Sequence, residues 1–337
     1  MKVEAAPRTY SFVWALPAAG FSTYACPRPT YNRLVHLSVI VPAADGPATL
    51  PRCASALGAA ASVEDEILIV DEPRGSSATV VRNLGAHRAT QEVLVFVDAD
   101  VEIHADALTR IRAAFESDPE LVALFGSYDD APEGGVVSGF RNLLHHYVHQ
   151  ESAGPAGTFW AGLGAIRREA FFDAGGFVEH PVEDIELGMR LVEGGAKIVL
   201  DPELQGKHLK EWTLWSMIRT DFAVRGVPWV GLMLRHRTAA AKLNLGWRHR
   251  LSALACIALV VAIAFAALVP AAVALLVVLV LNARFYALLL RRRGPLQAVA
   301  GVALHIVHQL VAVAALPFGL LAYARDQHGV RASARLA

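Results

Sequence analysis

Residues 93–100 read Val-Leu-Val-Phe-Val-Asp-Ala-Asp, an uninterrupted apolar run that ends in two carboxylates. An apolar run of this length, rich in valine, is typical of a strand that is covered on both faces of a sheet. The same pattern, an apolar run closed by a polar turn, occurs at residues 37–41 and 66–70. We therefore expect three parallel strands at the start of an α/β domain.

Segments of helical periodicity separate these strands, at residues 48–60 and 78–89, and a third follows at 105–115. The alternation predicts a doubly wound, mainly parallel sheet, in which ligands bind beyond the carboxyl ends of the strands. No GxGxxG pattern follows the first strand, so a dinucleotide site is not predicted. The polar residues at the strand ends are the candidates for a site: Pro42 to Asp45, Asp71, Glu72, and Asp98 to Asp100.

The composition indicates two kinds of environment along one chain. Of the 337 residues, 54% are hydrophobic and 18% are charged, which is too apolar for an ordinary soluble protein and too charged for one that lies wholly in lipid. The formal net charge of zero argues against a nucleic-acid partner. The three cysteines are scattered without metal-ligand or redox spacing, so a reducing compartment fits best.

Three apolar segments near the C-terminus predict a membrane domain, at residues 251–269, 271–290 and 296–324. Arginines before the first segment and after the second predict that both flanks are cytoplasmic. The third segment either spans the membrane or lies at its interface. Its polar residues His305, His308 and Gln309 either form interhelical hydrogen bonds or contact a lipid phosphate.

We therefore expect an irregular extension over residues 1–34 and a catalytic domain over 35–240. A membrane domain over 241–324 and a tail over 325–337 follow. Trp14 and Phe21 in the extension are candidates to rest on the bilayer. The arginine pattern predicts a multi-pass protein of the cell inner membrane with a cytoplasmic catalytic domain.

Asp98 and Asp100 follow the predicted strand at 93–97, where the chain must turn. Two carboxylates at positions i and i+2 can converge on one hard cation, and oxygen ligands suit Mg or Mn. Such an ion would bridge the diphosphate of a nucleotide donor and neutralise charge on the departing phosphate. Acidic residues are also common in turns, so the pattern alone is compatible with a metal site or with an ordinary turn.

Asp71 ends the second predicted strand in the same way, and Arg82 falls in the helix that follows. Asp71 either forms a turn or cap, or contacts the base or ribose of a donor. In the second interpretation Arg82 lies near the donor phosphates. The sequence leaves both interpretations open.

Glu183 and Asp184 begin a predicted helix. Carboxylates in a first turn interact favourably with the helix dipole, which is a sufficient structural reason for them. The same position keeps Asp184 ionised and pointing out of the helix start, as a general base requires. Asp184 is therefore the candidate base for an acceptor hydroxyl, and Glu183 is a supporting residue.

Residues 208–212 combine imidazole, ammonium and indole groups just before an amphipathic stretch. We place His208 and Trp212 on the acceptor side of the site. Trp215 and Trp229 are interpreted as anchors at the membrane interface. The basic residues of this region either hold an anionic headgroup or only obey the positive-inside rule: Lys207, Lys210, Arg219, Arg225, Arg235 and Arg237.

A histidine cluster offers an alternative metal site, because His145 and His149 have i, i+4 spacing and His146 lies between them. No HExxH pattern accompanies them, so zinc is the less favoured interpretation.

Taken together, the motifs resemble those of the family 2 glycosyltransferases of GT-A fold over about residues 35–230. They are Ser38-Val39-Ile40-Val41-Pro42, Val70-Asp71, Arg82-Asn83-Leu84-Gly85, Asp98-Ala99-Asp100, Gly162-Leu163-Gly164 and Glu183-Asp184. The resemblance implies a nucleotide-diphosphate sugar as donor, a Mg or Mn ion, and inversion at the anomeric carbon. It implies donor contacts at Pro42, Asp45, Asp71, Arg82 and Asp98, metal ligands at Asp98 and Asp100, catalysis by Asp184, and supporting roles for Gly162 and Gly164.

The sequence also departs from this family. Its first loop has Ala43-Ala44-Asp45 where an Asn-Glu pair is frequent, and the QxxRW signature of processive synthases is absent, which favours a single transfer over polymerisation. The C-terminal segments look like those of members that glycosylate lipid-linked acceptors, including polyprenyl-phosphate sugar synthases. A lipid-linked acceptor is therefore implied, by analogy of layout.

Other functions stay open at this point. One is a glycosyltransferase that acts on a soluble or polysaccharide acceptor. A metal-dependent nucleotidyltransferase would carry a basic first loop, which residues 42–50 lack. A transporter would need more spans than three unless it oligomerised, and a binding protein without catalysis would leave Asp184 idle.

Overall fold

The computed structural model describes residues 34–236 and 246–334, with side chains described as far as residue 327. The predictions for Trp14, Phe21, Arg237 and nearly all of the extension lie outside the described residues. The described residues group as one compact unit.

One mixed sheet forms the centre of this unit, with the strand order β2-β1-β3-β7-β5-β8-β4 and β6 paired to β8. The pairs β1/β2, β1/β3 and β5/β8 are parallel, whereas β3/β7, β5/β7, β4/β8 and β6/β8 are antiparallel. The strands are β1 Leu37–Pro42, β2 Glu66–Val70, β3 Val93–Val97, β4 Val101–Ile103, β5 Leu121–Tyr128, β6 Gly154–Pro155, β7 Leu163–Arg167 and β8 Lys197–His208.

Helices cover both faces of the sheet, and the predicted α/β class is confirmed. The sheet is mixed and not mainly parallel as predicted, because β7, β4 and β6 pair antiparallel with their neighbours. One face packs on α1 and α3 through Leu57 and Ile111, and the other on α2, α5 and α6 through Val81, Phe171 and Leu187. The helices up to residue 235 are α1 Leu50–Ala60, α2 Ala78–Arg88, α3 Ala107–Ser117, α4 Val136–Gln150, α5 Arg168–Asp173, α6 Glu183–Glu193, α7 Leu214–Arg219 and α8 Val227–Arg235, with a π-helical segment at Thr220–Gly226.

Strands β1 and β3 follow the sequence pattern closely, because every residue of β3 is buried and β1 is buried up to Pro42. Strand β2 lies where predicted, but it is an edge strand and exposes Ile67 and Ile69. Side-chain caps explain two helix starts. The Ser77 hydroxyl accepts a hydrogen bond from the Val80 N–H at the start of α2, and Thr213 and Ser216 form a capping box at the start of α7.

Three further helices follow residue 246: α9 Trp247–Ala264, α10 Leu268–Leu281 and α11 Ala283–Ala334. Of these, α9 and the 283–327 part of α11 are long and apolar enough to cross a membrane, whereas α10 is a shorter apolar helix. Their outer faces expose large apolar side chains, including Ile263, Leu276 and Leu296. The predicted second segment, 271–290, falls on both α10 and α11, which Asn282 separates.

Helix α11 is interrupted at Gly294, where φ is +80° and Pro295 follows. The arginines just before this break contact the sheet domain. Arg292 pairs with Asp130, and Arg293 donates hydrogen bonds to the carbonyl oxygens of Pro132 at 3.1 Å and Gly134 at 2.7 Å. These arginines therefore join α11 to the loop between β5 and α4.

Close helix packing joins α11 to the π-helical segment and to α8. A Cβ atom on Gly319 would come within 2.5 Å of the Cβ of Val230, and one on Gly226 would lie 2.7 Å from the Cβ of Ala315. Only glycine allows this approach, as in helix pairs that pack through small residues.

Candidate active site

The carboxyl ends of three neighbouring strands form one edge of the site. Pro42 is in register with Val70, so the turn after β1 lies beside Asp71, and β3 on the other side of β1 ends at Asp98. Asp45 and Asp71 are both exposed at this edge. The predicted donor-side residues thus lie around the same rim.

Arg82 of α2 connects two distant parts of the chain. Its guanidinium group pairs with the carboxylates of Asp98 and Glu183, and the residue is only 6% exposed. Burial opposes a positive charge here, but Asp98, Glu183 and Asp184 more than compensate and raise the pKa of Arg82. A permanent cation therefore lies beneath the acidic cluster.

The carboxylates around Arg82 are crowded. Burial, together with the negative charge of Asp184, raises the pKa of Glu183 to about 7, although Arg82 acts in the opposite direction. Burial and the charge of Asp100 likewise raise the pKa of Asp98 against the pull of Arg82. A cation bound here would consequently be stabilised, because it would offset the negative charge of these carboxylates.

Asp184 lies at the start of α6, as predicted, and is half-buried. Its Oδ2 atom accepts a hydrogen bond from the Ala161 N–H at 3.2 Å, and its Oδ1 atom accepts one from the Ile185 N–H at 2.8 Å. These two bonds fix the orientation of the carboxylate next to the Arg82 cluster. A fixed and partly accessible carboxylate is what a general base requires.

Asp100 faces the end of β8. The Leu209 N–H donates to its backbone carbonyl at 2.8 Å, and its Oδ2 atom lies 3.6 Å from Nε2 of His208. Burial opposes the ionisation of Asp100, but His208 and Lys210 lower its pKa overall. The His208 ring is stacked on Tyr128, with centroids 4.2 Å apart.

The described residues contain no group of three His, Cys, Asp or Glu side chains arranged to hold a metal ion. The donor types nevertheless fit Mg or Mn, because Asp98 and Asp100 provide carboxylate oxygens after one buried strand. One oxygen of Asp98 is already paired with Arg82, and Nε2 of His208 lies 3.6 Å from the Oδ2 atom of Asp100.

Gly162 and Gly164 shape the loop beside Asp184. The Gly162 carbonyl accepts a hydrogen bond from the Asp98 N–H at 3.1 Å, and a Cβ at Gly162 would collide with the indole ring of Trp160. Gly164 pairs with Phe96 within the sheet. The Trp160 ring thus occupies the space that a side chain at position 162 would need.

The histidines of α4 are engaged in packing and in bonds to the backbone. The Nδ1 atoms of His146 and His149 each lie 2.9 Å from a carbonyl oxygen, those of Tyr128 and Gly126. The rings of His145 and His149 lie 3.9 Å apart and both contact Trp160. Burial lowers the pKa of His149 to about 4, so its ring is neutral at physiological pH.

Trp212 lies away from the Arg82 cluster. Its backbone N–H donates to the Ser138 hydroxyl at 2.8 Å, and its ring lies beneath Arg141 at 4.8 Å and Lys210 at 5.0 Å. The centroid of the Trp212 ring is 6.4 Å from that of the His208 ring, so Trp212 approaches the site through His208.

Residues 72–173 match the family model described as Glycosyl transferase family 2. The chain carries a family 2 glycosyltransferase domain. The match includes Arg82, Asp98, Asp100, Gly162 and Gly164, and the predicted GT-A type of fold is confirmed. A search of curated proteins found no match.

Two solved structures were found in a comparison of folds. The mannosyltransferase PcManGT from Pyrobaculum calidifontis, in complex with GDP-Man and Mn2+, has 16% identity and a TM-score of 0.48, with 89% of this chain and 90% of that chain covered. GalNAc-T7, with UDP, GalNAc and Mn2+, has 17% identity and a TM-score of 0.43, with 62% of this chain and 50% of that chain covered. Both TM-scores lie below 0.5, so neither likeness bears on the substrates of this chain.

Several residues of the glycosyltransferase site were not singled out from the sequence. Trp160 precedes the Gly162 motif and could have been included with it. Asn142 and Tyr128, which contact His208, lie within a helix and at the end of a strand, where nothing in the sequence distinguishes them from packing residues.

Proposed function

We propose that this glycosyltransferase moves a sugar, with inversion, from a nucleotide-diphosphate donor to an acceptor at the cytoplasmic face of the inner membrane. The observation that carries the proposal is the Arg82 cluster. Arg82 joins Asp98, at the end of β3, to Glu183, which precedes Asp184 at the start of α6. Donor-side and acceptor-side carboxylates are thus held together in a domain of this family.

The donor nucleoside would lie along the rim formed by Pro42, Asp45 and Asp71. The exposed carboxylates there can accept hydrogen bonds from base or ribose groups. Arg82 is a permanent cation close to the place where the diphosphate would lie, and it supports that negative charge.

A divalent cation, Mg or Mn, would be held by Asp98 and Asp100. When bound, it neutralises negative charge on the departing diphosphate. The raised pKa of Asp98, caused by burial and by the charge of Asp100, supports this assignment, since a cation would relieve the repulsion between the two carboxylates.

Asp184 would act as the base. An acceptor hydroxyl oxygen forms a bond to the anomeric carbon, on the face opposite the diphosphate, while the bond from that carbon to the diphosphate oxygen breaks. The nucleoside diphosphate leaves with the electron pair, and Asp184 takes the proton of the hydroxyl. The hydrogen bonds from Ala161 and Ile185 orient the carboxylate for this transfer.

We further propose that the acceptor is lipid-linked. Helices α9 and α11 are long and apolar enough to cross a membrane and expose apolar side chains, and basic residues lie between the site and α9. Lys210 is held against Trp212, whereas Arg219 and Arg225 are exposed. These cations suit an anionic headgroup at a membrane surface.

The test is hydrolysis and transfer by the full-length protein in detergent, with a panel of sugar nucleotides. We expect release of a nucleoside diphosphate that depends on Mg2+ or Mn2+ and that Asp100→Ala abolishes while the protein stays folded. Unchanged turnover in excess EDTA would contradict the metal assignment. No turnover with any sugar nucleotide would contradict the donor class.

The acceptor is tested in the same preparation. We expect faster transfer to a detergent-solubilised polyprenyl phosphate or polyprenyl-linked sugar than to free sugars or short glycans. Equal rates on the water-soluble acceptors would overturn the lipid-linked acceptor and leave the glycosyl transfer itself intact.

A further inference from the structure

A cavity of about 380 Å³ lies between helix α4 and the first part of helix α11. Helix α4 lines it with Tyr147 and Glu151, which are four residues apart and share one side of the helix. His145 and His149 lie on the other side of α4, where their rings contact Trp160. The cavity is therefore separate from the candidate active site.

Three consecutive arginines before the break in α11 point to different parts of the molecule. Arg292 pairs with Asp130, and Arg293 donates to carbonyl oxygens of the loop after β5. Arg291 instead lines the cavity and is exposed, and it has no ion-pair partner within residues 34–236 and 246–327. The attachment of α11 to the sheet domain therefore does not account for Arg291.

Arg284 lines the same cavity seven residues before Arg291, so the two guanidinium groups share one side of α11. The Nη1 atom of Arg284 lies 3.4 Å from Oε1 of Glu151. Arg248, in the first turn of α9, lies 3.8 Å from the other oxygen of Glu151. One carboxylate is thus shared by two arginines, and the charge of Arg291 is not offset. The cavity consequently attracts an anion.

The cavity lies where the apolar helices begin. Arg248 and the exposed Trp247 are in the first turn of α9, and basic and aromatic residues of this kind gather at membrane interfaces. Large apolar side chains are exposed next to the cations, Leu251 one turn after Arg248 and Leu290 beside Arg291. An anion that carries acyl chains would place its charge against the arginines and its chains along these leucines. A free phosphate gains nothing from the apolar surface.

We propose that this cavity binds the phosphate headgroup of an anionic membrane phospholipid between Arg284 and Arg291, with the acyl chains on the exposed apolar faces of α9 and α11. Arg291 contributes most, because no carboxylate offsets its charge. The site is distinct from the acceptor position and needs neither donor nor metal. A lipid bound there joins α4 to α11, since the two helices form the walls of the cavity.

The experiment is native mass spectrometry of the delipidated full-length protein in detergent, without donor or metal. The probes are dioleoylphosphatidylglycerol, dioleoylphosphatidylcholine, which has the same chains but no net charge, and inorganic phosphate as a competitor. Arg291→Gln removes the charge that has no partner, and Arg284→Gln is a second variant in the same cavity. Arg325→Gln is the matched control, because Arg325 is an exposed arginine of the same helix outside the cavity.

We expect the wild type to bind phosphatidylglycerol about 5- to 25-fold more tightly than phosphatidylcholine, the contribution of one to two arginines. Arg291→Gln should bind phosphatidylglycerol about fivefold more weakly, with phosphatidylcholine unaffected. Arg284→Gln should lose less, because Glu151 already offsets part of its charge. Arg325→Gln should match the wild type. Glu151→Gln should bind phosphatidylglycerol more tightly, since it removes the carboxylate from the cavity.

Equal affinities of the wild type for the two phospholipids would overturn the proposal. Wild-type affinity for phosphatidylglycerol in Arg291→Gln would do the same, as would an equal loss in Arg325→Gln, which would mean that only the overall charge matters. Displacement of phosphatidylglycerol by inorganic phosphate would mean that the site takes free anions and is not a lipid site. Each of these results leaves the proposed sugar transfer standing, because lipid binding is measured without a donor.

Discussion

The Nδ1 atom of His308 lies 2.7 Å from the Oδ2 atom of Asp221, so the apolar helix α11 is joined to the π-helical segment by a polar contact. Arg141 of α4 donates to the other oxygen of Asp221 at 2.7 Å. Burial opposes the ionisation of Asp221, but His308 and Arg141 lower its pKa overall. An ionised carboxylate thus connects α11 to the helix that also carries Asn142.

Asp221→Ala should destabilise the protein strongly. The substitution leaves the Arg141 guanidinium buried without its carboxylate, which typically costs about 3–5 kcal/mol. Thermal unfolding in detergent measures the effect. The control is Asp326→Ala, which removes the exposed ion pair between Arg235 and α11 and should cost at most about 1 kcal/mol. Similar shifts for the two variants would show that burial of the Asp221 pair is unimportant.

Asp184→Asn should reduce turnover by about a hundred- to ten-thousand-fold, the usual contribution of a positioned base. Asn has the same shape but cannot take the acceptor proton, so donor affinity should persist. The measurement is a comparison of turnover with nucleotide-sugar binding. A variant that retains more than about a tenth of the wild-type rate is incompatible with Asp184 as the base. Glu183→Gln is the matched variant and should lose less turnover.

Glu183→Gln should change the pH dependence of stability. The pKa of Glu183 is about 7 in the folded protein, against 4.5 for a free side chain, because burial disfavours its charge. The folded state therefore binds more protons between these values, and the stability of the wild type falls as pH rises from about 4.5 to about 7. Gln is neutral at every pH. As pH rises across this window, the free energy of unfolding of the variant should therefore increase by on the order of 2–3 kcal/mol relative to that of the wild type.

Unfolding at pH 5 and pH 8 measures this change in Glu183→Gln. Changes in packing and hydrogen bonding that do not depend on the ionisation of Glu183 add a constant offset, so the readout is the change of the free energy of unfolding with pH, and not its absolute value. If the free energies of unfolding of the variant and the wild type differ by the same amount at pH 5 and at pH 8, Glu183 is ionised at both pH values.

Gly188→Ala should destabilise the protein and impair the site. A Cβ on Gly188 would collide with the backbone of Thr158 and Phe159, which leads into the Trp160 loop beside Asp184. Backbone cannot move aside cheaply, and overpacking typically costs about 1–3 kcal/mol. The control is Gly58→Ala in α1, where the exposed position has open space, and a gain of about 0.5–1 kcal/mol is expected. The unfolding temperatures of both variants are compared with that of the wild type. A higher unfolding temperature for Gly188→Ala would refute the close contact.

Local pattern was sufficient for the first half of the fold. The strands β1 and β3 are short and buried, and α2 has a side-chain cap, so their positions follow from residues close in sequence, whereas the edge strand β2 exposes Ile67 and Ile69. The antiparallel partners β7 and β4 depend on contacts between distant segments, and the sequence contains no local signal for them.

The site residues also fall into those that the sequence indicates and those that only the folded chain reveals. The acidic residues after β3 and at the start of α6 could be found because carboxylates at such ends are chemically informative. The link that Arg82 makes between these two groups of acidic residues could not be found from the sequence. Arg82 and Glu183 are 101 positions apart and meet only when the sheet has formed. Arg293 is one of the arginines that follow the second apolar segment, and its hydrogen bonds to loop carbonyl oxygens of the sheet domain have no signal in the sequence.

The contact of Gly319 with Val230 bears on how this enzyme can be modified. The backbone of α11 packs directly against Val230 and transmits small displacements to it, so a substitution on the exposed half of α11 can reach α8 and, through the π-helical segment, Asp221. Replacing α11 with an unrelated apolar helix would therefore alter the enzyme, whereas a helix without such contacts would be interchangeable. Chimaeras of this protein should keep α8 and α11 from the same parent.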